Sequence, residues 1–335
     1  MKDSICEFKA VSKDYSNRHG FFATDSYKIK ALDRISLSVK QDEILGLVGE
    51  SGCGKSTLAK IALGLESPTS GQVLFFGHDI AGFDKARMKI FRRQAQMVFQ
   101  DPFSSLNPKK TVLKILSEPL KIHKLCPRDH YKERVSELLQ EVGLSERILN
   151  RYPHEFSGGQ RQRIGLARAL ATTPRMIVAD EPTSALDVSI QAQIINLLLD
   201  LQERHKLSFL FISHDLPVIQ FLSHRVAVVY NGQLMELMPK RAFLQSPHRP
   251  VTKSPNCHHP YTSLLLSSVP VPDPKVPTKA KKGDHGATLD YKSDRCQDGC
   301  AFFPRCDLAI DRCGVERPLL KEIEKNHFIA CHIIT

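Results

Sequence analysis

Gly49-Glu50-Ser51-Gly52-Cys53-Gly54-Lys55-Ser56-Thr57 is the stretch on which the reading of this chain turns. It follows the apolar run Ile44-Leu45-Gly46-Leu47-Val48 and leads into Leu58-Ala59-Lys60-Ile61-Ala62-Leu63. A buried strand, a glycine-rich loop and a helix start in this order make a phosphate cradle. The glycines let backbone N–H groups turn inward around an anion, and the helix offers its positive dipole end to it. Lys55 is placed to reach the β- and γ-phosphates of a nucleotide, and the Ser56 hydroxyl to ligate Mg²⁺. An ordinary glycine turn needs neither the strand before it nor the helix after it.

The whole chain bounds the rest. With 335 residues, 41% of them hydrophobic, it can build one large domain or two ordinary ones. No apolar run approaches the roughly 18 residues that span a bilayer, and Met1 to Cys6 lacks a signal peptide's apolar stretch. The expectation is a globular protein of the cytoplasm. A net charge of +11 is compatible with nucleic acid or an anionic membrane surface. Lys and Arg are scattered, however, and no basic motif interleaved with aromatics accompanies them, which favours a solvated basic face near a membrane. Nine cysteines in a reducing compartment argue against a disulfide framework.

Residues 5–11 and 35–39 read as strands, separated by a polar segment, 12–30, that carries Tyr15, Phe21, Phe22 and Tyr27. An adenine ring could stack on one of these aromatics. After the phosphate loop, Gly71 to Gly77 reads as a strand between turns, and Gln96-Met97-Val98-Phe99-Gln100 as another, ending at Asp101-Pro102. From about Val112 to Leu149 the apolar spacing is helical, with no strand pattern, so a helical insertion in an α/β domain is expected. Ser157-Gly158-Gly159-Gln160 then opens a basic amphipathic helix and makes a second candidate anion site.

Met176 to Asp180 reads as a buried strand ending in the carboxylates of Asp180 and Glu181, at the sheet edge where open parallel sheets bind ligands. Asp180 suits a direct or indirect Mg²⁺ ligand, and Glu181 the general base that polarises an attacking water. The next strand, Ser208 to Ser213, brings His214 to the same edge, where it can contact a γ-phosphate.

With Lys55, Gln100, Ser157 to Gln160, Asp180, Glu181 and His214 in this order, residues 5 to about 245 closely resemble the nucleotide-binding subunit of an ABC transporter. Phe156 stands where that family's signature commonly has leucine. Gln100-Asp101-Pro102-Phe103-Ser104-Ser105-Leu106-Asn107-Pro108, Pro182 to Gln193 and His259-Pro260-Tyr261-Thr262 are similar to the oligopeptide/dipeptide importer subfamily, whose pattern nickel importers largely share. The resemblance implies an α/β fold: a P-loop NTPase (RecA-like) core with an antiparallel β subdomain, a helical subdomain at about 101–165 and a small Cys-rich C-terminal extension.

The resemblance also implies an ATPase of an importer, most of all for small peptides, lying peripherally on the cytoplasmic face of the inner membrane. Its cofactors would be ATP and Mg²⁺. Gly49 to Thr57 would bind the phosphates, Tyr15 best matches the adenine-stacking aromatic, and Ser56, Gln100 and Asp180 would serve Mg²⁺. Gln100 would also sense the attacking water, Glu181 would be the base, and His214 would clamp the γ-phosphate. Ser157, Gly158, Gly159 and Gln160 would cover the γ-phosphate held by a partner chain, and Asp187 would link the two sites. Implied partners are a second ATPase subunit, two transmembrane permease subunits and an extracytoplasmic solute-binding protein, with no nucleic acid. A soluble ABC ATPase acting on ribosomes or DNA is the rival of another class, but such proteins usually carry two cassettes or zinc modules. A metal or redox sensor that uses the tail is a third.

Beyond residue 245 the composition turns to Pro, Lys, His and Ser, an expected linker over 246–295 interrupted by the apolar piece Tyr261 to Val269. Residues 296–335 then hold Cys296, Cys300, Cys306, Cys313 and Cys331. Neither paired CxxC motifs nor zinc-finger spacing is present, and four thiolates from a compact segment suit a [4Fe–4S] cluster at least as well as zinc. The pattern is similar to the C-terminal motif of peptide-importer ATPases, some of which carry such a cluster. The ligands this implies are Cys300, Cys306, Cys313 and Cys331, with Cys296 as a spare; zinc, or plain free thiols, are the alternatives.

Overall fold

The computed structural model describes residues 4–17, 27–101, 105–244, 258–268 and 298–334. Two long strands open the chain, β1 (Ser4–Asn17) and β2 (Tyr27–Lys40). They pair antiparallel through irregular registers, and both continue well into the segment that reads as polar in the sequence. Pairing with each other satisfies their backbone groups, so the ribbon needs no apolar alternation along its whole length. Tyr15 therefore lies on a strand rather than in a loop, while Phe21 and Phe22 fall outside the described residues.

There follow β3 (Ile44–Val48), α1 (Lys55–Ala62), β4 (Ser70–Phe75), β5 (His78–Asp79), α2 (Lys85–Gln94) and β6 (Ala95–Val98). Among the described residues, no strand lies between Val98 and Met176. That stretch holds α3 (Val112–His123), α4 (Tyr131–Glu141), α5 (Gly158–Leu170) and short 3₁₀ turns. The chain then runs through β7 (Met176–Asp180), α6 (Val188–His205), β8 (Ser208–Ile212), α7 (Leu216–Leu222), β9 (Arg225–Tyr230), β10 (Gln233–Pro239) and α8 (Lys240–Phe243). Further on come α9 (Pro260–Ser267), α10 (Asp311–Val315), β11 (Lys321–Glu324) and β12 (His327–Ile329). No described helix is long and apolar enough to cross a membrane.

Two sheets result. One is antiparallel with order β2-β1-β4-β5; the other has order β11-β12-β10-β9-β3-β8-β7-β6 and is parallel from β9 to β6. Every residue of β3, β7 and β8 is buried, as a parallel sheet covered on both faces requires. The pleat divides their side chains. Ile44, Val48, Ile177, Ala179, Phe209 and Phe211 join the core beneath the helical insertion and α6. Leu45, Leu47, Met176, Val178, Leu210 and Ile212 join the core with α1 and the antiparallel sheet. By the same alternation Asp180 falls on the α1 face, and this is what brings its carboxylate to the phosphate loop.

The described parts of the C-terminal region are fastened to the cassette. Strand β12 pairs with β10, Glu236 opposite Ile329, so residues 298–334 extend the main sheet. Within the stretch expected as linker, α9 is docked with Tyr261 fully buried. The fastening is polar: fully buried Glu236 receives a hydrogen bond from His258 Nδ1 (2.8 Å), His327 Nε2 (2.7 Å) and the His259 N–H (2.9 Å). Three segments far apart in the chain meet on one carboxylate.

Candidate active site

The phosphate loop connects β3 to α1. Gly54, the residue before the helix, has φ +106°, and a Cβ there would stand 2.5 Å from the Ala31 carbonyl oxygen. A Cβ on Gly49 would stand 2.1 Å from the Val229 carbonyl oxygen. Glycine is therefore required at both positions on steric grounds. No side chain caps α1, so its first N–H groups stay available to an anion. Lys55 is buried and donates to the carbonyl oxygens of Gly49 (2.7 Å) and Glu50 (2.8 Å). These are weak partners for an ammonium group, which leaves Lys55 ready to exchange them for phosphate oxygens.

Beside the loop, Ser56 hydrogen-bonds to Asp180. Burial raises the Asp180 pKa, an effect opposed by that hydrogen bond and by Lys55 and reinforced by the neighbouring Glu181 charge. A hydroxyl and a carboxylate that repay burial poorly by themselves form a hard oxygen pair suited to Mg²⁺. Glu181 follows in a left-handed backbone conformation, φ +46°, and its N–H donates to the Ile212 carbonyl oxygen at 2.9 Å. Such a conformation costs a non-glycine residue on the order of 1–3 kcal/mol and persists where surrounding structure enforces it. Its Oε2 accepts a hydrogen bond from Gln100 Nε2 at 3.1 Å and lies 3.2 Å from His214 Nδ1. Gln100, Glu181 and His214 thus meet, from the ends of β6, β7 and β8.

Ser157 and Gln160 form a reciprocal capping box at the start of α5: the Gln160 N–H donates to Ser157 Oγ (3.3 Å), and the Ser157 N–H to Gln160 Oε1 (3.1 Å). Both residues are exposed, as are Asp187 and Val188 at the start of α6. A Cβ on Gly159 would come within 2.4 Å of Ile190 Cγ2, so close packing fuses these two helix starts into one face. The chain does not bring this face to its own phosphate loop through any hydrogen bond among the described residues.

Comparison with known proteins agrees with this geometry. Residues 32–184 match the family described as ABC transporter, and residues 235–313 match the Oligopeptide/dipeptide transporter, C-terminal region. The oligopeptide transport ATP-binding protein AppF of Bacillus subtilis is 46% identical over 333 residues, spanning 99% of this chain and 98% of AppF. The chain belongs to the ATP-binding proteins of ABC transporters. A dimeric ATP-binding cassette, MJ0796, in a post-hydrolysis state bound to ADP and Pi superposes with a TM-score of 0.62 at 31% identity, covering 70% of this chain and 99% of that one. CbiO1 of Clostridium perfringens, part of the ABC transporter complex cbiONQ, gives a TM-score of 0.62 at 25% identity over 71% of this chain and 90% of its own. The fold is that of an ABC ATPase cassette with mixed α/β sheets.

In this cassette, Tyr15 lies near α1. Its hydroxyl donates to Glu66 and lies 3.5 Å from Thr57 Oγ1, and its ring is partly exposed. In the tail, the Cys300 N–H donates to the Cys313 carbonyl oxygen at 2.8 Å, while the metal-ligand grouping among the described residues is formed by Glu236, His258 and His327 and not by the cysteines. Cys300, Cys313 and Cys331 are buried and Cys306 half-buried, and burial pushes the Cys300 thiol up to about 11. Cys296 falls outside the described residues. Glu236, His258 and His327 bring metal-type ligand atoms within 4.8 Å of one another. Ligands on a tetrahedral metal at about 2.0–2.2 Å stand roughly 3.3 Å apart, whereas these contacts are 2.7 and 2.8 Å, so they are direct hydrogen bonds.

The sequence gives no role to Tyr261, Arg305, Glu236, His258 or His327. Tyr261 was within reach as part of His259-Pro260-Tyr261-Thr262. Arg305 stands in the cysteine pattern beside Cys306, but nothing local to it names Glu50 as its partner.

Proposed function

We propose that this chain is the ATP-hydrolysing subunit of an importer of oligopeptides or dipeptides, acting peripherally on the cytoplasmic face of the inner membrane. The observation that carries the catalytic part is the meeting of Gln100 and His214 on one oxygen of Glu181, beside the Ser56–Asp180 pair. The matched C-terminal region and the likeness to AppF support the peptide substrate.

In this reading Gly49 to Thr57 hold the ATP phosphates, Lys55 neutralises the β/γ end, and Tyr15 stacks on adenine. Ser56 and Asp180, with Gln100, hold Mg²⁺, which when bound offsets phosphate charge. Both side-chain contacts of Glu181 fall on Oε2, so Oε1 is the oxygen offered to the attacking water. Gln100 and His214 fix the carboxylate in place, and His214 also meets the γ-phosphate. The helix start of Ser157, Gly158, Gly159 and Gln160, with Asp187 beside it, closes over the nucleotide of a partner ATPase; Ser157, Gln160 and Asp187 are its exposed members. Two permease subunits and a solute-binding protein complete the importer. Work comes from ATP binding the closed pair better than the open one. The division into 1–245, 246–295 and 296–335 is kept as one of function.

We further propose that the tail cysteines hold a cluster: burial disfavours the bare thiolates of Cys300, Cys306 and Cys331, and a cationic iron centre would stabilise them. We assign Cys300, Cys306, Cys313 and Cys331 as its ligands. The cluster would cross-link the tail and supply a redox-active or purely structural centre.

Replacing Glu181 by Gln tests the catalytic reading. Steady-state hydrolysis is expected to fall at least about a hundredfold while ATP binding persists, and normal turnover would reject Glu181 as the base. Protein purified anaerobically should be brown, with about four iron and four sulfide per chain. Colourless protein with stoichiometric zinc would decide against the cluster.

A further inference from the structure

Glu50, the second residue of the phosphate loop, has its three polar groups held from different directions. Its carbonyl oxygen accepts from Lys55 Nζ at 2.8 Å, the lysine that faces the phosphates. Its N–H donates to the Tyr261 hydroxyl at 2.9 Å. Its carboxylate accepts from Arg305 Nη1 at 3.0 and 2.8 Å. Tyr261 and Arg305 lie 211 and 255 residues further along the chain, so the loop is tied to the C-terminal region on two sides.

Those two ties form one unit. Tyr261, Tyr230 and Phe302 pack with ring centroids 4.6–5.4 Å apart. The Arg305 guanidinium lies over Tyr230 and Phe302 at 5.6 and 5.8 Å and donates to the Tyr230 hydroxyl at 3.3 Å. Phe302 and Arg305 both belong to the loop between Cys300 and Cys306.

We propose that Tyr261 and Arg305 are positioning residues for ATP binding, holding Glu50 so that the loop keeps its shape and its carboxylate stays neutralised. The arginine cancels a negative charge that would otherwise repel a triphosphate at the loop. The tyrosine hydroxyl accepts the Glu50 N–H and so fixes the backbone of the loop at that residue. Because the arginine rides on the cysteine loop, a change in that loop's packing reaches Lys55 through Glu50.

The test uses the full-length chain, a fluorescent ATP analogue for affinity, and the assembled importer for turnover. Arg305→Ala should weaken ATP binding about tenfold, the scale of one charge-assisted hydrogen bond. KM for ATP should rise with kcat little changed, since an interaction present in both ground and transition states is lost. Arg305→Lys, which keeps the charge, should recover part of the loss. In the Glu50→Gln background Arg305→Ala should have little further effect, because there is no carboxylate left to neutralise. Tyr261→Phe, which preserves the buried ring, should weaken binding several-fold. Arg305→Ala with wild-type affinity, or losses that simply multiply in the double variant, would overturn the proposal. The proposal rests on the phosphate loop being the ATP site: a wild-type chain that binds no ATP would remove that reading, whereas wild-type binding with unaffected variants removes only this one.

Discussion

Two described helix starts in this cassette follow or begin with glycines, and both are proposed to meet ATP phosphates, yet they are held in opposite ways. The start of α1 has no side-chain cap, and its loop is braced by Tyr261 and Arg305 from the far end of the chain. The start of α5 caps itself through Ser157 and Gln160, three residues apart. An uncapped start leaves N–H groups free to surround a ligand, but something else must then fix the loop. A self-capped start is stable without ligand, and in the proposed function its exposed edge meets a nucleotide that another chain holds. One end is shaped by distant segments of the chain; the other is built locally.

The largest expected effects separate the two ends by function. Lys55→Ala should abolish measurable ATP binding by the single chain, a loss of about 2–4 kcal/mol from a lost charged partner. Ser157→Arg should leave that binding intact while lowering turnover of the assembled importer at least about a hundredfold, because a bulky side chain blocks closure. Equilibrium binding and ATPase assays read the two, and loss of single-chain binding in Ser157→Arg would break the division.

Acid should reach the braced end first. Burial alone would raise the Glu236 pKa, but hydrogen bonds from His258 and His327 hold it down to about 2. Burial pushes His259 down to about 4. Both shifts are depressions, so the unfolded chain binds more protons and stability is lost as the pH is lowered. The His259 contribution is complete above about 6.5 and is lost as pH falls towards 4. The Glu236 contribution is complete above about 4.5 and is lost towards 2. Each is on the order of 3 kcal/mol. Thermal midpoints should therefore decline from about pH 6.5 towards pH 2, with Glu236→Gln flattening the part below about 4.5. A flat profile would remove the buried cluster as a fastening.

A smaller effect probes the local end. Gly159→Ala places a Cβ 2.4 Å from Ile190 Cγ2, against a branched side chain with little freedom to withdraw. Overpacking of this kind costs about 1–3 kcal/mol. A lowered thermal midpoint with unchanged single-chain ATP affinity is expected; weakened affinity would show that the two ends communicate within one chain.

How much of this was legible beforehand follows the same split between local and distant. The phosphate loop, the strand before Asp180 and Glu181, and the strand before His214 are short patterns whose apolar runs and end residues carry the reading by themselves. The Ser157 cap is equally local. The length of β1 and β2 was not legible, because they pair with each other through polar residues instead of alternating ones. The addition of β12 to β10 and the Arg305–Glu50 contact were hidden for another reason. They depend on three- to seven-residue pieces far apart in sequence, and neither piece has a pattern that names its partner. The cysteines announced themselves by type, but the arginine that their loop carries to the phosphate loop did not.

The least energetic prediction separates the two jobs of Ser157, cap and lid. Ser157→Ala removes the acceptor for the Gln160 N–H and should cost about 1 kcal/mol, read as a small drop in thermal midpoint. Aspartate caps a helix as well as serine does, so Ser157→Asp should restore that stability. It also places a fixed negative charge on the edge that must approach a partner's γ-phosphate, so turnover should stay low although the fold is repaired. If Ser157→Asp recovers stability and turnover together, Ser157 is only a cap. If it recovers stability alone, the edge of α5 meets an anion in the assembled pair, and the self-held start has a function that its own chain does not complete.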